Sequence, residues 1–246
     1  MNENNHNAWQ PTRSAVFGAS GGIGRALVER LATGPGTVYT LTRTPERAPA
    51  GSIAVPVDIL SEESVEAAAR RCGEEGPLDL VIVATGMLHR DGAVAPEKSM
   101  RQFDAAVMAE VFAVNTIAPA IVAKHFLPLL GRDGKSVFAA LSARVGSIAD
   151  NRLGGWASYR ASKAALNMLL KTLSIEQART HPRSVVIGLH PGTVDTALSK
   201  PFQGNVPEGT LFSTERAAQH LLDVIKQVAP GDSGDVFAWD GTRIPA

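Results

Sequence analysis

"SAVFGASGGIGRALVERLATG", residues 14–34, is the stretch on which the fold turns. Its first part, 14–20, is a short apolar run bounded by glycine, and it reads as a buried strand. Ile23, Leu27, Val28 and Leu31 then recur at helical spacing, and Gly34 ends the pattern. Gly18, Gly21, Gly22 and Gly24 stand at the junction of strand and helix. Small residues suit a backbone that must turn sharply and approach a pyrophosphate closely. The helix N-terminus then offers free N–H groups and the positive end of its dipole to the anion. The spacing Gly18-x-x-x-Gly22-x-Gly24 is not the common G-x-G-x-x-G, and a glycine cluster also suits an ordinary βα turn. Its place between a first strand and a first helix favours dinucleotide binding, with Ser20 and Ile23 beside the phosphates.

Outward from this unit the same alternation continues. Strand-like runs cover 37–43, 51–59, 78–86, 135–143, 183–192 and 234–241. Pro56 places part of the third strand at a sheet edge. Helical patterns cover 61–72, 156–180 and 213–229, with one or two helices over 99–130 interrupted by Pro119 and Pro128. Buried strands alternating with helices predict a single-domain α/β fold of the doubly wound type, a parallel sheet with helices on both faces. We expect a loose tail over 1–12, one domain over 13–246, and one long irregular segment over 198–213, part of a substrate loop at about 194–212.

Composition narrows the class. The formal net charge is zero, so no basic surplus exists to neutralise a nucleic-acid backbone. One cysteine, Cys72, permits no intrachain disulfide and fits a reducing cytosol. No apolar N-terminal run marks a signal peptide, and no stretch is read as the ~20 apolar residues of a membrane span. The expectation is a soluble, cytoplasmic protein without nucleic-acid or membrane partners. His89, His190 and Cys72 have no zinc-like spacing, and no metal is expected.

Strand two ends Leu41-Thr42-Arg43, with no acid at its tip. An acid there would bind the ribose hydroxyls of NAD. Arg43 could instead pair with a 2′-phosphate, which favours NADP over NAD and NADPH over NADH, unless it is a solvated surface arginine. Asp58, followed by Ile59 at the end of strand three, could accept from the adenine amino group. Ala84, Thr85 and Gly86 close strand four beside the same crevice.

Tyr159 and Lys163 in "YRASK" (159–163) are one helical step of four apart and share a face. A free phenol has a pKa near ~10, and a nearby ammonium would lower it. The pair suits proton transfer between carbonyl and alcohol, although such pairs are also common on helix surfaces. Ser142 ends a strand, and its hydroxyl could donate to a substrate oxygen. Asn115 interrupts an apolar helical pattern. It could hold a water against Lys163, or serve as a structural amide bonded to a neighbouring carbonyl. Trp156 lines a pocket or packs in the core.

This constellation resembles the short-chain dehydrogenase/reductase family over residues 14–241. The resemblance rests on the glycine loop, Asp58, "ATG" at 84–86, Asn115, Ser142, Tyr159-x-x-x-Lys163 and "HPGTVDT" at 190–196. Within the family the chain looks most like the C-factor and sniffer-type carbonyl reductases. The resemblance implies Tyr159 as general acid/base. Lys163 would bind the nicotinamide ribose and lower the Tyr159 pKa. Ser142 would polarise the carbonyl, and Asn115 would anchor a relay water. Pro191, Gly192 and Thr193 would flank the nicotinamide. It also implies a small carbonyl or alcohol substrate and a homodimer or homotetramer. Phe17 and Ala84 replace the family's usual threonine and asparagine; neither change removes a catalytic group. The second reading is a C-factor-like dinucleotide-binding regulator with slow catalysis.

Overall fold

β1 (Arg13–Phe17) is buried from Ser14 onward and pairs in parallel with two neighbours. On one side lies β2 (Thr37–Thr42), on the other β4 (Leu80–Val83). The chain therefore starts in mid-sheet. It winds outward through β2 to β3 (Ile53–Pro56), then returns across β1 to β4 and continues outward through β5 (Ser136–Leu141), β6 (Ser184–His190) and β9 (Val236–Ala238). A computed structural model describes residues 9–90, 93–207 and 209–246, and in it these strands, with a short β10 (Arg243–Ile244), form one sheet in the order β10-β9-β6-β5-β4-β1-β2-β3. Pro56 lies on the edge strand, where its missing N–H costs no ladder bond. Winding reverses between β1 and β4. In open α/β sheets the crevice above the carboxyl ends at that point is where ligands bind.

Each face of the sheet carries a hydrophobic layer. Phe17, Leu41, Phe126, Phe138, Leu166 and Leu170 belong to the core under α2 (Glu62–Gly73), α4 (Ala118–Phe126) and α5 (Ala157–Gln177). Val16, Leu27, Ile82, Ile187, Leu221 and Ile225 belong to the core under α1 (Gly22–Leu31) and α6 (Thr214–Gln227). Burial on both faces explains why the strands read as apolar runs without alternation.

Five expectations change. The expected tail is secured from residue 9, while residues 1–8 lie outside the described residues. The Trp9 indole N–H donates to Lys135 O at 2.9 Å, and Thr12 N–H donates to Asp79 Oδ2 at 2.8 Å. The 99–130 pattern becomes α3 (Ala105–Phe112), a π turn over Ala113–Ile117, and α4. The helical run Ala105–Leu129 is 25 residues long with a hydropathy of 1.8, long and apolar enough to cross a membrane, contrary to the sequence reading. Here Val111, Val122, Ala123 and Phe126 of that run are buried in the fold. The last strand is followed by an antiparallel partner, β10 (Arg243–Ile244), turned at Asp240-Gly241. The Asp-Gly dipeptide was the available hairpin signal. The segment 198–213 is less irregular than expected. It holds a 3-10 turn (Lys200–Asn205), and β8 (Leu211–Phe212) pairs with β7 (Thr193–Val194).

Candidate active site

A chain of connected cavities runs along the carboxyl edge of the sheet. The first, about 430 Å³, lies over the switch between β1 and β4 and is lined by Gly18, Ser20, Arg43, Asp58, Ile59 and Thr85, among others. A second, about 290 Å³, shares Gly18, Ala84, Thr85 and Gly86 with it and adds Gly22, Ile23 and Gly24 of the glycine loop. Ser142, Tyr159, Lys163 and Pro191 form its far wall. A third, about 240 Å³, shares Ser142, Tyr159 and Pro191 and is closed by Gly192, Thr193, Trp156, Leu198 and Phe202. Each catalytic or cofactor-binding candidate named from the sequence, Asn115 excepted, lines this trough.

Asn115 lies just beneath, fully buried in the π turn. Its Nδ2 donates to Met87 O (2.8 Å) and to Ser162 Oγ (3.1 Å), and its Oδ1 accepts from Met87 N–H (2.8 Å). The structural-amide alternative is thus realised: the amide pins the end of the β4 loop to α5. π turns are often found at functional sites.

Lys163 is 2% exposed, and its Nζ donates to Leu141 O at 2.7 Å. It stands 5.9 Å from the Tyr159 ring centroid. Burial lowers the Lys163 pKa to about 7 and raises that of Tyr159 to about 12. Burial is the cause of both shifts, and no lowering of the phenol by the lysine accompanies it. Desolvation disfavours the charged form of each group, the ammonium of one and the phenolate of the other.

Ser142 Oγ donates to Asn167 Oδ1 at 2.6 Å. The sequence reading passed over Asn167, although it lies one four-residue step beyond Lys163, on the same face of α5. It fixes the serine rotamer from behind. His190, at the end of β6, lines the third cavity, and burial and then Arg144 lower its pKa to about 4, so it is neutral. Trp156 is a cavity wall: its ring centroid lies 6.4 Å from that of Tyr159 and 5.0 Å from that of Phe202. Cys72 is buried elsewhere, with its thiol pushed up to about 12 by burial.

The family model for the short chain dehydrogenase matches residues 14–206, the span that holds the glycine loop and the serine–tyrosine–lysine cluster. The chain belongs to the short-chain dehydrogenase family. Among its relatives, the 1-hydroxy-2-glutathionyl-2-methyl-3-butene dehydrogenase of Rhodococcus sp. (strain AD45) is 34% identical over 233 residues, covering 92% of this chain and 96% of that one. The C-signal of Myxococcus xanthus is 32% identical over 171 residues, covering 69% of this chain and 93% of that one. Among solved structures, the NADPH-bound carbonyl reductase from chicken fatty liver superposes with a TM-score of 0.84 at 27% identity, covering 97% of this chain and all of that one. The resemblance to C-factor and carbonyl reductase members is borne out. As a short-chain dehydrogenase, the protein is an oxidoreductase.

The glycine cradle of this short-chain dehydrogenase fits a dinucleotide. α1 has Gly21 at its N-cap, with no side-chain cap and no acid in its first turn, so the free N–H groups of its first turn border the trough unopposed. Gly18 is left-handed (φ +74°). A Cβ on Gly24 would stand 2.3 Å from Gly18 O, which is backbone and cannot step aside. Thr85 Oγ1 is buried without a partner among the described residues, a hydroxyl left for a ligand. Asp58 Oδ1 accepts from Leu60 N–H at 3.0 Å, holding the carboxylate at the trough. Gly24→Ala should lower stability by about 1–3 kcal/mol through overpacking. It should also weaken binding of a nicotinamide dinucleotide about tenfold or more, read by thermal melts with and without NADPH or NADH.

Proposed function

We propose that the protein is an NADPH-preferring carbonyl reductase that interconverts a small carbonyl compound and its alcohol. The observation that carries this reading is the meeting of Ser142, Tyr159 and Lys163 on one cavity wall, opposite the glycine cradle. When bound, the nicotinamide supplies the hydride. Ser142, held by Asn167, donates to the carbonyl oxygen and orients it. Tyr159 gives its phenolic proton to that oxygen as negative charge develops, and takes it back in the reverse direction. Lys163 would hold the nicotinamide ribose hydroxyls and refill the proton. A Cβ placed on Gly86 would lie 3.6 Å from Asn115 Oδ1 and 3.7 Å from Lys163 Nζ, so both atoms border one small space where a relay water would sit. Pro191, Gly192 and Thr193 would flank the nicotinamide.

Arg43 makes no hydrogen bond or ion pair among the described residues and lines the first cavity beside Thr42 and Asp58. An unengaged guanidinium at the end of β2 suits a 2′-phosphate. Arg43→Ala should raise the KM for NADPH about 10–100-fold, a charge-assisted bond being worth roughly 1.5–3 kcal/mol, and leave NADH use little changed.

The test is oxidation of NADPH and NADH against a panel of aldehydes, ketones and quinones. Turnover that needs NADPH supports the reading. Preference for NADH removes the Arg43 assignment and leaves the reductase. Tight NADPH binding without turnover across the panel favours the second reading, a dinucleotide-binding regulator, to which the likeness to the C-signal points.

A further inference from the structure

α5 carries Tyr159 and Lys163, yet it begins without a cap of its own. Trp156, at the N-cap, offers no side-chain hydrogen bond, and its backbone is left-handed (φ 52°, ψ 43°). It is the one non-glycine residue with positive φ among the described residues, and Gly154 and Gly155 before it are left-handed too. Such a conformation costs about 1–3 kcal/mol at a residue with a side chain and persists only where the surroundings impose it. A helix start also leaves N–H groups unpaired.

Glu97 supplies both needs from the loop between β4 and α3. Its main-chain oxygen accepts the Trp156 N–H at 2.6 Å. Its Oε2 accepts the Ser158 N–H at 3.2 Å, and its Oε1 accepts the Ser158 hydroxyl. Glu97 is 4% exposed and Ser158 3%. Glutamate is almost never buried to this degree unless its oxygens are engaged. Here both are engaged by the residue that precedes Tyr159, and the negative charge meets the positive end of the helix dipole.

We infer that Glu97 is a positioning residue for Tyr159, an inference that rests on reading Tyr159 as the proton donor. The donor must lie within about 2.6–3.2 Å of the oxygen it protonates. A displacement of about 1 Å can cost 100-fold in rate. Glu97 fixes the first turn of α5 from outside the helix, and through Trp156 it fixes the aromatic wall of the same cavity.

The experiment compares Glu97→Ala, Glu97→Gln and Ser158→Ala with the parent and with Tyr159→Phe. Glu97→Ala is expected to lower kcat about 10–100-fold while KM and the NADPH dissociation constant stay within about threefold. Its solvent deuterium isotope effect on kcat should rise, because proton transfer becomes the slow step. Ser158→Ala should move both readouts the same way by less, since it keeps the N–H bond. Glu97→Gln should recover most of the rate, since its amide oxygen still accepts. Unchanged kcat in a folded Glu97→Ala overturns the inference. So does a loss matched by an equal fall in NADPH affinity with an unchanged isotope effect, which marks general scaffolding. If Glu97→Ala does not fold, Ser158→Ala and Glu97→Gln decide on the same two readouts. If Tyr159→Phe turns over at the parent rate, the proton-donor reading fails and the positioning role falls with it. If Tyr159→Phe is inactive and Glu97→Ala is fully active, only the positioning role falls.

Discussion

Tyr159→Phe is expected to lower kcat/KM for carbonyl reduction by about 10²–10⁴-fold, the range that a positioned acid contributes. NADPH affinity should stay within a few-fold. The substitution removes one hydroxyl and keeps the ring that packs edge-on to Trp156. Burial holds the Tyr159 pKa at about 12, so near neutrality the phenol carries its proton, the form that reduction needs. Alcohol oxidation needs phenolate, so its rate in the parent should climb with pH through the alkaline range while reduction stays level near neutrality. Steady-state profiles in both directions check this. An oxidation rate that is flat from pH 7 to pH 10 would assign the base to another group.

Lys163→Met should separate stability from activity. The lysine pKa is about 7 in the folded protein against 10.5 for the free group, because burial disfavours the ammonium. Between these values the unfolded chain binds a proton that the folded chain does not, so stability of the parent rises with pH across that window. Below about pH 7 both states are protonated and the full cost of burying the charge is present. The methionine variant lacks this dependence. It should be more stable than the parent at pH 6–7 by about 2–4 kcal/mol. About 1 kcal/mol of that is offset by the bond lost to Leu141 O. The advantage should shrink toward pH 10. Turnover should fall at least about 100-fold at every pH, since the group proposed to bind the ribose and reload the proton is gone. Urea melts at pH 6.5 and pH 10 beside a rate assay test both halves. A variant less stable than the parent at pH 6.5 would show that the ammonium is well compensated.

Much of this was legible in the chain itself because the relevant physics is local. The glycine loop, the apolar strands and the Tyr159–Lys163 step are short-range patterns, and Pro56 marked its own edge strand. What was not legible depends on contacts between distant segments. Glu97 meets Ser158 only after the sheet has folded, and nothing in the residues around Glu97 announces a cap for another helix. The two glycines before Trp156 were a signal for an unusual backbone, but not for its partner. The competition between desolvation and attraction at Lys163 needs the depth of burial, which a spacing of four does not give. Asn167 and the Asp240-Gly241 turn were readable and were passed over.

The π turn at Ala113–Ile117 has a consequence for the two halves of its helix. An α-helix advances about 100° and 1.5 Å per residue. One extra residue in the turn therefore shifts the angular phase of everything beyond it. Glu110 and Val114, ahead of or within the turn, face the first cavity, while Val122, Ala123 and Phe126 beyond it seal the core beneath the sheet. The turn works as a phase adjuster between a ligand-facing segment and a core-facing one, and Asn115 sits at the splice, locking the offset with its three hydrogen bonds.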